Sequence, residues 1–310
     1  MDLKLNGKVK YIKEKSFELI LDAGTYRKGK PKRYEDNDFE IHYNGQGYVV
    51  EKKSFIRGNQ LSQHIIYEYE NDNLIKERHL PITPEAEPYS FMFVYKYNPA
   101  GKLIQKDILS IDGQWVTTEL ILKYDDKGKL KLKADYNRDR SLKLITHYYY
   151  IGDFLVKKEE SLNPGELLFI TKYDYDAMGN LTRQTETHAK GTPISKQIFE
   201  YDSHDKLIKH TYYSYDLDGQ PEYKLLKYYD PHGQLAKEEF YTPENELINK
   251  IFFNYDQYGN LIRRQEFNGP DRLVEEYKYR FDSHHNWIEK QIIINGKPAF
   301  LVERKIKYFE

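Results

Sequence analysis

The sequence lacks cysteine, a long apolar run and an excess of charge of either sign. Without cysteine, a disulfide framework, a thiolate nucleophile and a thiolate metal site are all excluded. The 48 basic side chains are balanced by 49 acidic ones, and the net charge of −1 gives no field that favours nucleic acid. No apolar stretch approaches the roughly 20 residues that span a bilayer as a helix. We therefore expect no nucleic-acid partner and no membrane span.

Aromatic residues are abundant instead, at 15% of the chain, and 30 of them are tyrosines. A flat ring with a polar tip suits a half-buried pleated surface, so this composition favours β-strands. Disordered chains are poor in aromatic residues, so the chain is predicted to fold.

The phrase Tyr-Asp-Gln-Tyr-Gly-Asn-Leu-Ile at 255–262 recurs along the chain at intervals of 25 to 28 residues. Such regular self-similarity is the signature of a repeat protein. The first residue of each copy is called its anchor. The anchors are Tyr43, Tyr69, Tyr97, Tyr124, Tyr150, Tyr175, Tyr201, Tyr229, Tyr255 and Phe281.

Each copy carries the chemistry of a tight turn. The residue after the anchor is Asp or Asn in eight copies, and such a side chain can hydrogen-bond to the turn backbone. Glycine follows four residues after the anchor in six copies, which matches a three-residue hairpin loop closed in the left-handed region. In the copy at Tyr255 this loop is 257–259, and Tyr255 faces Leu261. The glycines at this position include Gly101, Gly128, Gly179, Gly233 and Gly259.

A second set of turn signals lies between the anchors, at 112–113, 163–165, 190–193, 218–221, 268–270 and 295–298. Each repeat is therefore two strands and two turns. The twelve prolines fall in predicted turns or near Pro31, and no segment keeps a helical period. We predict one all-β domain over 1–310. It has an irregular N-terminal capping unit at 1–42 with a basic loop, followed by about ten repeats of ~26 residues over 43–310.

Period-two alternation predicts one aromatic face, on which the anchors stack as ladders from repeat to repeat. Open sheets rarely exceed about ten strands without curling, and strand twist accumulates. The predicted fold is a long curved or superhelical antiparallel meander; a two-layer fold-back or a closed barrel is the competing arrangement. In the open form, the lysine-rich first and last strands are the edges, and their charge opposes aggregation. These lysines are Lys8, Lys10, Lys13, Lys15, Lys305 and Lys307.

The phrase Tyr-Asp-x-x-Gly-Asn-Leu resembles the YD repeat of bacterial RHS and YD-repeat proteins, also found in teneurins, from about Tyr43 to Tyr308. The opening run at 5–10 is similar to small lipoprotein-like YD-repeat proteins of Bacteroidetes. The resemblance implies a hairpin-strip fold, a bacterial surface or exported setting, a binding role and a lipid anchor on the precursor. The period is longer than is usual in that family, and about ten repeats look too few to enclose a passenger. The encapsulating role of RHS shells therefore does not carry over.

Candidate catalytic residues form no convergent set, and no nucleophile elbow, zinc helix or phosphate-binding glycine-rich loop is present. His204, His232, His284 and His285 fall in the Tyr-Asp turns and offer a metal site shared between turns; the plainer interpretation is solvated turn residues. Residues 216–219 match the start of a calcium loop but lack the later ligands. We predict no catalytic residue, no metal and no cofactor.

Candidate ligand-binding residues are aromatic. By parity, Tyr149, Tyr212 and Tyr228, with Phe252 nearby, fall on the face opposite the anchors, where rings can stack on sugars or anchor a protein partner. The alternative is that this face is buried by curling or dimerisation. Trp115, beside the Gly113 turn, is a further ligand candidate. Trp287 occupies a leucine position and is predicted to be core.

The basic segment 27–33 offers a grip for an acidic partner; the plainer interpretation is a solvated insertion. The first ten residues lack the apolar core of a secretory signal, which predicts either a cytosolic chain or an exported one whose leader is not in this sequence.

The sequence predicts a non-catalytic binding or structural repeat scaffold, secreted or at the bacterial cell envelope, that binds a protein or a glycan. A cytoplasmic location stays open. One alternative is an immunity or accessory protein for a secreted toxin. Another is a carbohydrate-active enzyme with carboxylates from adjacent turns, although a meander offers few clefts for such a pair.

Overall fold

The computed structural model describes residues 3, 5–32, 38–56, 60–83, 90–162 and 165–310. They form 23 antiparallel β-strands, and the all-β prediction is confirmed. No helix long and apolar enough to cross a membrane occurs among these residues.

The strands follow one another along the chain, and most neighbours in sequence form hairpins. They are β1 (Val9–Asp22), β2 (Thr25–Pro31), β3 (Asp38–Tyr43), β4 (Val49–Ile56), β5 (Gln60–Glu70), β6 (Asn73–His79), β7 (Phe91–Tyr97), β8 (Leu103–Ser110), β9 (Trp115–Tyr124), β10 (Leu130–Tyr136), β11 (Leu142–Ile151), β12 (Phe154–Ser161), β13 (Leu167–Tyr175), β14 (Leu181–His188), β15 (Pro193–Tyr201), β16 (Leu207–Tyr215), β17 (Pro221–Tyr229), β18 (Leu235–Tyr241), β19 (Leu247–Tyr255), β20 (Leu261–Asn268), β21 (Asp271–Phe281), β22 (Trp287–Ile294) and β23 (Lys297–Tyr308).

The turns after eight of the ten anchors have the predicted three-residue loop, whereas those after Tyr69 and Tyr150 have two loop residues. After Tyr255, the amide of Gly259 donates to the carbonyl of Asp256 at 3.1 Å, and Gly259 has a φ of 84°. The Asp256 carboxylate accepts from the amides of Tyr258 at 2.8 Å and Asn260 at 2.9 Å. The same two bonds fix the turns at Asn44, Asn98, Asp125, Asp176, Asp202, Asp230 and Asp282.

Each anchor faces a residue of the next strand, as the sequence predicts for Tyr255 and Leu261. Beside that pair the register shifts, because Asn254 pairs with Arg263 and leaves Ile262 as a β-bulge. A bulge of one residue moves the side chains beyond it to the other face. We call the side that carries the anchors the anchor face and the other side the opposite face.

Anchor hydroxyls connect neighbouring repeats. The hydroxyl of Tyr201 donates to the carbonyl of Leu181 at 2.9 Å, and that of Tyr255 donates to the carbonyl of Leu235 at 2.9 Å. Tyr97 and Tyr175 form the equivalent bonds at 2.7 and 3.0 Å. Burial raises the pKa of all four phenols, so they stay protonated donors. The sequence predicts ring stacking as the link between repeats. These four copies are linked by a hydrogen bond, and Tyr175 also has a tilted ring contact with Phe154 at 4.8 Å.

The chain divides into two compact units, residues 1–118 with 275–310, and residues 119–274. In the first unit, β1 pairs along one edge with β23, from Val9 with Tyr308 to Glu18 with Phe300, and along the other with β3. A long open meander would leave β1 and β23 as free edges. The prediction of an open curved or superhelical meander, with β1 and β23 as free edges, is therefore wrong.

The basic segment predicted as a loop is instead largely a strand. β2 pairs with the second half of β1, and Asp22 faces Thr25 across a tight turn. Arg33 lies outside the described residues, as do Pro84, Pro88 and residues 163–164. Pro31, Pro193 and Pro221 occupy strand ends, where a missing amide donor is tolerated.

The core of the first unit lies on the anchor face, where Ile12, Phe39 and Ile41 pack against Ile306 and Val49. In the second unit, small hydroxyl side chains occupy buried positions on that face between larger neighbours. They include Thr146, Thr171, Ser195 and Ser214.

Candidate functional site

A groove of about 650 Å³ lies over strands β17 to β20 of the second unit. Rings and uncharged or basic side chains line it. The lining residues are Tyr228, Ala236, Lys237, Phe252, Phe253, Asn254, Gln265 and Phe267. We call it the ring groove.

The strand register creates the ring groove. Tyr228 pairs with Lys237, Lys237 with Phe252, and Phe252 with Gln265. Since directly paired residues point to the same side of a sheet, these four side chains form one row across four strands. Tyr228 immediately precedes the anchor Tyr229, so the row lies on the opposite face.

A second row on the same face runs parallel to the first. Leu226 pairs with Glu239, Glu239 with Lys250, and Lys250 with Phe267. The rings of Phe252 and Phe267 meet edge to face, with centroids 6.1 Å apart and planes at 88°. The two rows therefore place three rings and two ammonium groups side by side.

Cations lie over the rings of both rows. The ammonium of Lys237 is 3.8 Å from the ring centroid of Tyr228, and that of Lys250 is 5.1 Å from the centroid of Phe252. The guanidinium of Arg272 is 5.5 Å from the centroid of Phe267. These cation–π contacts hold long side chains in fixed positions at the groove.

Glu239, in the second row beside the groove, carries a buried charge and is only 6% exposed. Its carboxylate accepts from the hydroxyls of Tyr241 at 3.0 Å and Tyr228 at 3.3 Å. The ammonium groups of Lys237 and Lys250 lie 3.1 and 3.6 Å away. Burial pushes the pKa of Glu239 up, but the hydrogen bonds from Lys237 and Tyr241 outweigh it, and the pKa is lowered. Glu239 is therefore an ionised carboxylate that fixes its four neighbours.

Gln265 completes the polar part of the groove. With its amide oxygen turned toward the arginines, it accepts from Arg272 at 2.8 Å and from Arg263 at 3.2 Å. In this orientation the amide oxygen of Gln265 is the group that contacts the two arginines.

Two of the predicted ligand-binding tyrosines share one arrangement. Like Tyr228, Tyr149 precedes an anchor, and its hydroxyl donates to Glu159 at 2.6 Å. The ammonium of Lys157 lies 4.1 Å from its ring centroid and 2.9 Å from Glu159. Tyr149 is 39% exposed, but its row continues with Lys157 and Lys172 instead of a second ring.

Tyr212 lies on the anchor face, not on the face that parity predicted. The bulge at Ile208, between the pairs Tyr201–Leu207 and Glu200–Lys209, reverses the parity of β16. Tyr212 pairs with Gln197, which alternates in register with the anchor Tyr201, and its ring is 5.9 Å from that of Tyr223. Tyr212 therefore does not share the opposite face with Tyr149 and Tyr228.

The two tryptophans belong to the first unit. Trp115 is 49% exposed at the start of β9 and is not among the residues that line the ring groove. Trp287 is half-buried opposite Phe281, and the guanidinium of Arg304 lies 3.3 Å from its ring centroid.

The four turn histidines lie in three loops, and His284 and His285 share one of them. His204 and His232 are exposed, and the ring of His284 stacks on Tyr308 at 3.9 Å. Over the described ranges, no three His, Cys, Asp or Glu side chains converge as metal ligands. The Asp216 carboxylate accepts from the amides of Asp218 and Gln220, as in the other tight turns.

Sequence reasoning missed Glu239, Gln265 and Phe267. The sequence signal for them is indirect and comes from the strand register. The residue before an anchor pairs with the residue two positions after the leucine that faces that anchor. With that rule, Tyr228 leads to Lys237, and the rest of the row follows strand by strand.

No family model and no curated protein match the chain. Among solved structures it is similar to the RHS/YD-repeat toxin TcdB2-TccC3, with 12% identity and a TM-score of 0.38 over 94% of this chain and 20% of that one. This chain thus spans about a fifth of that protein. Porin-like proteins from Bacteroides uniformis ATCC 8492 and Bacteroides vulgatus ATCC 8482 also match, each with 10% identity. The TM-scores are 0.29 and 0.24, over 97% and 70% of this chain and 98% and 94% of theirs. Likenesses at this level carry no argument about function.

Proposed function

We propose that this chain is a non-catalytic binding repeat protein and that the ring groove binds a glycan. The observation that carries the proposal is the row Tyr228, Lys237, Phe252 and Gln265, which alternates ring and hydrogen-bonding groups across four strands. A sugar presents an apolar ring face and a rim of hydroxyls. The aromatic rings of the groove can stack on the apolar face of the sugar, and the neighbouring donors can hydrogen-bond to its hydroxyls.

The ring groove is also preorganised. Glu239 contacts both Tyr228 and Lys237, and Phe252 and Phe267 are packed edge to face. Side chains that are already ordered lose little conformational entropy when a ligand binds. This favours the ring groove over an isolated exposed ring as the binding site.

A hydrolytic role is less well supported. Glycoside hydrolysis uses two carboxyl groups, one of them a general acid with a raised pKa. The eight residues that line the ring groove include no Asp or Glu, and the pKa of nearby Glu239 is lowered. A carbohydrate-active enzyme therefore stays the weaker alternative. The role of an immunity or accessory protein for a secreted toxin stays a prediction, and no contact among the described residues tests it.

A bacterial envelope or secreted location, and kinship with the small YD-repeat proteins of Bacteroidetes, are part of this proposal. Both depend on the motif at 255–261 and its copies. A lipid-anchored precursor belongs to the same proposal.

A glycan array probed with the purified chain tests the binding role. Tyr228→Ala and Phe267→Ala are expected to weaken binding about tenfold or more, since each removes a stacking ring. Tyr258→Ala is the matched control, because Tyr258 is 62% exposed in a turn of the same unit. Equal binding by all variants, or no glycan signal, contradicts the proposal. Release of shorter sugars on incubation, followed by mass spectrometry, overturns its non-catalytic part.

A further inference from the structure

The first unit carries a lysine-rich strip on the opposite face of strands β1 and β23. Ile12 pairs with Ile306 in the buried core of the anchor face. The adjacent positions therefore point to the other side, and there Lys13 pairs directly with Lys305, and Lys15 with Glu303.

The placement of Lys13 opposite Lys305 is unfavourable for the fold by itself. Like charges directly opposite each other across two strands repel. Protection of a free sheet edge does not explain these lysines, because β1 lies between β23 and β3, and β23 lies between β22 and β1. The strip therefore calls for an explanation other than solubility of an edge.

The nearby carboxylates are already engaged. Lys13 is paired with Glu40, Lys28 with Glu303 at 2.6 Å, and Arg280 with Glu289 at 2.8 Å. Within the described part of the chain, no carboxylate lies within ion-pair distance of Lys15, Lys305 or Lys307. Three ammonium groups of the strip thus lack a counter-charge there.

Two shallow grooves border Lys305. One, of about 240 Å³, is lined by five basic side chains, one carboxylate and one isoleucine: Lys13, Lys15, Arg280, Arg304, Lys305, Glu303 and Ile288. The second, of about 470 Å³, is lined by three lysines and one carboxylate, with two tyrosines and a histidine: Lys10, Lys305, Lys307, Glu40, Tyr11, Tyr308 and His42. Lys305 borders both, so an anion held there is reached from two strands at once.

We propose that this strip, formed by Lys15, Lys305 and Lys307, binds the phosphate or sulfate groups of a small polyanion. An anionic oxygen between Lys15 and Lys305 supplies the missing counter-charge and offsets the repulsion between Lys13 and Lys305. Charge-assisted hydrogen bonds from several ammonium groups are the strong kind. The site lies wholly in the first unit and is independent of the glycan proposal.

Calorimetric titration of the full chain at fixed ionic strength tests the site. Tripolyphosphate and a sulfated disaccharide serve as probes, and their comparison distinguishes a phosphate ligand from a sulfated glycan. The double variant Lys15→Gln/Lys305→Gln is expected to bind about tenfold or more weakly, having lost two charge-assisted contacts. The control is Lys131→Gln/Lys143→Gln, which removes the same charge from exposed strand positions of the second unit.

Binding of either probe that is lost in the first double variant and kept in the control supports the proposal. It should also weaken as salt rises, because exposed charges are screened. Equal binding by both double variants, or no binding of either probe by the wild-type chain, overturns it. A cooperative thermal transition in each variant shows that the comparison is between folded proteins.

Discussion

The ammonium of Lys237 lies 3.8 Å from the ring centroid of Tyr228, its direct partner across strands β17 and β18. Tyr149 and Lys157 form the same pair in β11 and β12, with a distance of 4.1 Å. What differs is the next strand. Phe252 extends the Tyr228 row with a second ring, whereas Lys172 extends the Tyr149 row with a cation.

This difference predicts unequal effects of two matched substitutions. Tyr228→Ala should weaken glycan binding about tenfold, because it removes one of three clustered rings. Tyr149→Ala should change binding less than about twofold, because the ring stands alone in its row. Calorimetric titration of both variants with the strongest ligand from the array measures the ratio. A larger loss in Tyr149→Ala would place the site elsewhere in the second unit.

The anchor hydroxyls are predicted to stabilise the repeats. Tyr255→Phe keeps the ring but removes the bond to the Leu235 carbonyl, and should lower the free energy of unfolding by about 1 kcal/mol. Tyr258→Phe, in the exposed turn of the same repeat, is the control and should lower the free energy of unfolding less than Tyr255→Phe does, because Tyr258 is 62% exposed. Urea unfolding followed by circular dichroism gives both values. An unchanged midpoint for Tyr255→Phe would mean that the hydroxyl–carbonyl bond contributes nothing.

Acid should destabilise the second unit through Glu239. Its pKa is lowered in the folded chain, so its stabilising effect is present above the unfolded pKa, about 4.3. That contribution is lost as the pH falls through the folded value. Glu239→Gln removes the titrating group and should give a shallower decline in melting temperature between about pH 5 and pH 3. Identical slopes for the variant and the wild-type chain would show that Glu239 is not linked to stability.

The pairing of β1 with β23 predicts protection of the last strand. β23 pairs with β22 on one side and β1 on the other, so its amides should exchange with solvent as slowly as those of β1. β2, whose described pairing is with β1, is the internal reference for a strand with one partner and should exchange faster. Hydrogen exchange with mass spectrometry reads both segments. Rapid exchange throughout 297–308 would favour the open meander.

Local features of the repeat could be predicted from the sequence because their causes are local. Asp256 and Gly259 define the loop, and the loop length places Leu261 opposite Tyr255. The faces beyond that pair could not be predicted in the same way. The bulge at Ile208 puts Tyr212 on the anchor face, and an isoleucine at position 208 gives no sequence signal that a bulge forms there.

Contacts between distant parts of the chain were also beyond local patterns. Val9 and Tyr308 are at opposite ends of the sequence, and nothing near either residue encodes their pairing. The lysines of β1 and β23 fit an edge strand equally well until that pairing is known. The ring groove shows both cases. The alternation of side chains along one strand predicts that Tyr228 lies on the opposite face, whereas the positions of Phe267 and Glu239 follow only from the register of four strands.

A crystal structure of the chain with its strongest array glycan tests the central claim most directly. The account predicts a sugar ring stacked on Tyr228 or Phe252, with its hydroxyls within hydrogen-bond distance of Lys237 or Gln265. A sugar bound on the anchor face, or against residues outside strands β17 to β20, would contradict it.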